Sequence, residues 1–120
     1  MMSSSSKKYD LEEWTFTFAK NVIEYVRNLP KGIAYSEIGK QLVRSAGSVG
    51  ANYIEANEAL GKKDFLMRIR ISRKEAKESR YWLRLIDTGD KITVEQERKE
   101  LIQEATELTN IFGSILRKSE

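Results

Sequence analysis

The sequence predicts an all-α fold, an antiparallel up-down-up-down four-helix bundle, on three observations. Its 120 residues include one Pro and seven Gly, too few turn formers for the corners of a sandwich or barrel. Apolar residues recur three and four apart in four separate stretches, the period of a helix that buries one face. Only a few residues separate the stretches, which makes consecutive helices antiparallel neighbours.

The first helix opens at Asp10, an N-cap residue with Glu13 three positions on as its capping-box partner, and carries Leu11, Trp14, Phe18, Val22, Tyr25/Val26 and Leu29 on one face. It stops near Asn28, because the residue before Pro30 is pushed out of helical geometry and Gly32 follows. The first turn therefore spans Leu29 to about Ala34. The second stripe is Ile38, Leu42, Ala46, Val49, Tyr53, Ala56 and Leu60, with Ser36 as a cap and Gly61 as the terminator. The third is Phe65, Ile69, Ser72, Ala76, Ser79, Leu83 and Ile86, ending around Thr88-Gly89-Asp90. Thr93 and Gln96 give a capping box for the fourth, whose face is Leu101, Ala105, Leu108, Phe112 and Ile115. One bundle domain over 10–118 follows a disordered 1–9, where Met1–Ser6 has no apolar core of a signal peptide. The expected location is cytoplasmic.

Composition removes most chemistry. With 40% hydrophobic residues, 32% charged residues and no apolar run of the roughly 18 to 20 residues that a membrane span needs, the chain reads as a charge-rich globular protein with no membrane role. It contains neither Cys nor His, which excludes disulfides, thiol nucleophiles, imidazole bases, His-ligated metals and the Ser-His-Asp triad. Two E-x-x-E pairs, Glu55/Glu58 and Glu75/Glu78, invite a magnesium-dependent reading. In a hairpin of helices two and three, however, Glu75 lies roughly 12 Å along the axis from the level of Glu55, too far for one metal cluster. No catalytic residue, metal site or cofactor is expected, and the protein is read as a non-enzyme.

Two features remain. The stretch Arg44–Asn52 (RSAGSVGAN) is crowded with small residues in mid-helix, where each Gly costs about 1 kcal/mol relative to Ala. Close helix approach would offset that cost, and so would a ligand-contact surface; the order of residues does not match a phosphate-binding loop. In the helix 2–helix 3 hairpin, facing positions sum to about 122, which sets Arg44 against Glu78 and Glu55 against the level of Met67 and Arg68. Arg44, Asn52, Glu55, Arg68 and Glu78 are thus a candidate interhelix polar network that fixes register.

Charge is the second feature. Residues 62–84 hold nine Lys/Arg against three acids, a balance of +6, while 1–61 balance to 0 and 85–120 to −3. Such a basic helix attracts phosphate backbones, or else it is a solvated face or a subunit contact. Arg70, Arg73, Lys74, Lys77 and Arg84 lie off the apolar seam and are the candidate nucleic-acid-binding residues. Tyr81 and Trp82 could be core, subunit contact or base-stacking residues.

The string Gln41-Leu42, Arg44, Ala46, Ser48-Val49, Asn52 and Glu55, then Lys63-Asp64-Phe65, Ile69, Ile71 and Glu78, resembles the small bacterial four-helix-bundle proteins encoded by intervening sequences of large-subunit ribosomal RNA genes. The layout matches over about 11–116 and the motif over about 38–83. Ala56 stands where many members have Gly, and Ser72 and Glu75 depart from their Ala-x-x-Ser pattern. The resemblance implies a non-enzymatic bundle that forms ring-like homopentamers. A related accessory protein of diversity-generating retroelements works with a reverse transcriptase, which adds RNA or DNA and a polymerase to the expected partners.

Overall fold

The structure, a computed structural model, describes residues 10–89 and 92–119. Four helices follow in chain order: α1 Leu11–Arg27, α2 Ile33–Asn57, α3 Lys62–Leu85 and α4 Ile92–Ser119. Each packs antiparallel on the next, and α4 returns to α1 over a shorter stretch, closing the predicted four-helix bundle. The residues expected to be disordered, 1–9, lie outside the described ones.

The start of α1 is as the sequence requires, with the Asp10 carboxylate accepting from the backbone N–H of Glu13 at 3.0 Å. At the far end of α1 the chain turns through Gly32, whose φ of +147° is a conformation that side chains with a Cβ rarely adopt. That glycine, not Ser36, precedes α2, so the helix begins at Ile33, three residues before the expected cap. The other end of α2 is also corrected. The backbone N–H groups of Glu58 and Ala59 bond to the carbonyls of Glu55 and Ala56, a tightening of the last turn that ends the helix at Asn57. Past that point helical periodicity no longer applies, and Leu60, expected in the core, is fully exposed. Gly61 does not terminate α2 but precedes α3. In the same way α3 stops at Leu85, while Ile86, in extended conformation, still plugs the core. Thr93 is already helical, since α4 begins at Ile92.

The core is the predicted set of stripes: Trp14, Phe18, Val22 and Tyr25 from α1, Leu42, Ala46 and Val49 from α2, Ile69, Ala76 and Leu83 from α3, and Leu101, Ala105, Leu108 and Phe112 from α4. Polar atoms at its edges are paired. The Trp14 indole donates to Glu104 at 3.0 Å. Arg98 grips Glu95 with two hydrogen bonds of 2.9 Å and donates to the carbonyl of Leu83, one of the backbone oxygens left open at the end of α3. The Tyr25 hydroxyl beneath has no hydrogen-bond partner among the described residues, and burial pushes its pKa up to about 12. It stays a neutral phenol.

The small residues of α2 have two different settings. A Cβ on Gly50 would sit 2.9 Å from Oγ1 and 3.2 Å from Cβ of Thr15 on α1, and that hydroxyl is held by the Glu12 carbonyl. Here close approach is the reason for glycine. Around Gly47 a Cβ would meet nothing within 4 Å. Gly50→Ala should therefore destabilise the fold by about 1–3 kcal/mol through overpacking, whereas Gly47→Ala should stabilise it by up to about 1 kcal/mol through helix propensity. Urea unfolding of the two variants beside the wild type measures both signs.

Candidate nucleic-acid interface

The candidate surface is built from the way α3 sits on α2. At the centre of their contact the Ser45 and Ser79 hydroxyls meet at 2.9 Å, and Ser72 donates to the carbonyl of Val49 at 2.9 Å. Serines are small enough to let the helices approach and carry their own hydrogen-bonding groups, so a buried polar seam forms without orphaned atoms. The seam fixes which face of α3 turns inward.

That rotation sorts the charges. Arg44 on α2 donates to Glu78 at 2.5 Å and to Glu75 at 3.3 Å, bridging both acids of mid-α3. The expected Arg44–Glu78 pair is present, and Glu75, buried beside it, joins as a third member. Glu78 also accepts from the Trp82 indole at 3.0 Å. Burial pushes the Glu78 carboxyl up, but the hydrogen bonds from Trp82 and Arg44 and the charge of Arg44 outweigh it and hold the group below the usual carboxylate range. Its hydrogen bond raises the Arg44 guanidinium in turn.

One level nearer the turn, Arg68 donates to Asn52 Oδ1 at 2.9 Å, while the Asn52 amide donates to the carbonyl and hydroxyl of Ser48. Glu55, expected to face Arg68, is exposed and stands outside this network. The reason is angular: Asn52 and Glu55 differ by about 60° around α2 at 100° per residue, and the arginine fork reaches the nearer acceptor.

The five candidate cations Arg70, Arg73, Lys74, Lys77 and Arg84 are all exposed. At 100° per residue they fall within a strip about 100° wide along α3. The acids of mid-α3, Glu75 and Glu78, turn toward Arg44, and Glu78 stays near enough to Lys74 to feel its charge. Arg70 makes a further interaction of its own. Tyr81 lies on the strip with 56% of its surface open, and Trp82 meets it edge-on, ring centres 5.0 Å apart. The alternatives for these two rings separate: Trp82 packs against the core with its N–H occupied, and only Tyr81 offers a free face.

A different surface lies between α1 and α2. Phe16 and Ile54 stay exposed beside Gly47, over a groove of about 430 Å³ edged by Glu12 and Glu13. Among the other aromatics, Phe16 and Tyr81 are exposed, Trp14 is buried, and Tyr35 is half-buried with its hydroxyl donating to the carbonyl of Asp87 at 2.7 Å. No helix among the described residues is long and apolar enough to cross a membrane.

These features define a small helical-bundle protein with a basic face and apolar grooves along α1 and α2. The chain belongs to the 23S rRNA-intervening sequence protein family, whose model matches residues 7–114. It is also similar to a solved structure from Bacteroides thetaiotaomicron, described as a protein with unknown function from the S23 ribosomal protein family. That likeness has 27% identity and a TM-score of 0.73, and covers 88% of this chain and 96% of the other. No curated protein matches the chain.

The Arg44 bridge predicts a pH response. Because the folded Glu78 carboxyl titrates below its ordinary value of 4.5, its stabilisation is complete above that value and is lost as pH falls through the lower, folded one. Glu78→Gln should cost about 1–3 kcal/mol at neutral pH. The gap from wild type, followed by urea unfolding, should narrow as pH falls below 4.5; a gap that stays constant as pH falls contradicts the ion pair's contribution.

Proposed function

We propose that this protein is a non-enzymatic, nucleic-acid-binding accessory module that holds RNA or DNA by its phosphate backbone along α3. The observation that carries the reading is the sorting of charge: Arg73, Lys74, Lys77 and Arg84 stand out from the bundle while Glu75 and Glu78 of the same helix are drawn in against Arg44. Lys and Arg on a rigid helix neutralise phosphates and release counterions, which gives affinity without base readout. Tyr81 adds a ring on which a base can stack.

The reading includes self-association. Phe16 and Ile54 beside Gly47 leave apolar surface uncovered, and a homopentamer is the assembly that the family resemblance implies. A ring would repeat the basic strip and raise avidity without new contacts. A polymerase as protein partner and a cytoplasmic location belong to the same proposal. The second reading is an oligomer with no nucleic-acid role, in which the α3 cations meet acidic faces such as the Glu100/Glu104/Glu107 row of α4 on a neighbouring subunit; the acidic residues Glu12 and Glu13 at the open groove favour it.

A gel-shift and light-scattering pair decides between them. Wild type should shift labelled single-stranded RNA or DNA at about 50 mM salt and release it as salt rises. Lys74→Glu, Lys77→Glu and Arg84→Glu together should abolish the shift while helical circular dichroism and particle mass stay unchanged. An unshifted wild type leaves the structural oligomer as the function, and a particle of monomer mass, 13.9 kDa, removes self-association.

A further inference from the structure

Arg27 is bound by Glu24, Arg44 by two carboxylates, Arg68 by Asn52, and Arg98 by Glu95 and two carbonyls. Arg73 and Arg117 are different. Neither pairs with a carboxylate among the described residues, yet they come together. A Cβ placed on Gly113 of α4 would lie 3.4 Å from Nε of Arg73 and 3.4 Å from Nη1 of Arg117. Two guanidinium groups from different helices therefore converge on one point, within about 7 Å of each other.

Local geometry explains the convergence. Arg117 follows Gly113 by four residues, and helical side chains lean toward the N-terminus, so Arg117 folds back over the glycine one turn earlier. Arg73 reaches the same spot from the antiparallel α3. Gly113 is buried, and the three atoms nearest to a Cβ there belong to these two side chains, at the distance of ordinary contact. A side chain longer than that of alanine would spread them.

We infer that Arg73 and Arg117 form a two-pronged clamp for a phosphate group; it rests on the nucleic-acid reading in taking that phosphate from an RNA or DNA backbone. Two like charges brought together without a carboxylate partner among the described residues are complemented by an anion, and the planar guanidinium fork suits the paired oxygens of a phosphodiester better than an ammonium would. Exposed Lys77, one turn from Arg73 on α3, lies where the next phosphate of a strand would pass. The clamp brings α4 into an interface that charge counting assigned to α3 alone.

The test uses variants that keep the net charge. Arg73→Lys with Arg117→Lys removes the forks, and Gly113→Leu spreads the pair with all cations in place. By fluorescence anisotropy with single-stranded oligouridylate, each should bind about ten-fold more weakly than wild type. Arg73→Gln with Arg117→Gln should lower the slope of log K against log salt by about two. Circular dichroism should stay unchanged throughout. Inorganic pyrophosphate should move the Gly113 amide resonance of wild type but not of the double lysine variant. If the lysine and leucine variants bind RNA like wild type while the Lys74/Lys77/Arg84 glutamate variant does not, the clamp is wrong and the nucleic-acid reading stands. If wild type ignores RNA and DNA but pyrophosphate moves Gly113, the clamp stands as a site for free phosphates and the nucleic-acid reading falls. If neither ligand has an effect, both fall.

Discussion

The close contact of α2 with α3 governs the rest of the molecule. Ser45, Ser72 and Ser79 let two helix backbones approach while satisfying one another or a carbonyl, so the contact is both tight and polar. Hydrophobic side chains alone would permit neighbouring registers of similar energy. Buried hydroxyls with specific partners do not, because a slip by one residue separates Ser45 from Ser79 and takes the Val49 carbonyl from the Ser72 hydroxyl, at a cost of about 1–3 kcal/mol for a buried group left unpaired. Arg44 reinforces the same register, since any other rotation of α3 would bury Glu75 away from its cation.

From that register the surface charge follows. Drawing Glu75 and Glu78 toward α2 leaves the opposite edge of α3 to Arg70, Arg73, Lys74, Lys77 and Arg84. The interaction that stabilises the hairpin therefore also pairs the acids of mid-α3 with Arg44, with Glu78 still within the field of Lys74. Stability and the proposed binding surface share one cause, and Trp82, bonded to Glu78 through its indole, ties the end of the edge to the same network.

The outer helices complete the bundle by different means. Where α1 meets α2, Gly50 admits Thr15, and where α4 meets α3, Arg98 caps the open carbonyls at the end of α3. Neither contact is purely apolar, and the surfaces they leave differ accordingly. Beside Gly47 the α1–α2 groove stays open and apolar, with Phe16 58% exposed, whereas the α3–α4 flank is lined by Arg73 and Arg117 over Gly113. The two flanks suit unlike partners, one an apolar surface and the other an anion.

Periodicity alone determined the number and type of elements, the core stripes, and the antiparallel order, because a helix repeats every 3.6 residues whatever surrounds it. It also determined the Arg44–Glu78 pair, since a short turn sets hairpin register to within a turn. Helix ends were less legible. Gly32, Asn57 and Leu85 bound their helices through a positive φ, a tightened last turn and an extended plug residue; Ser36 and Thr93 carry the sequence signals of caps without being ones, and Gly61 caps the start of α3, not the end of α2. Only tertiary structure decided that Arg68 takes Asn52 and not Glu55, that Glu75 joins Arg44, and that Arg117 comes beside Arg73. Those choices depend on rotation about the helix axis and on side-chain reach across it, which spacing along one helix does not encode.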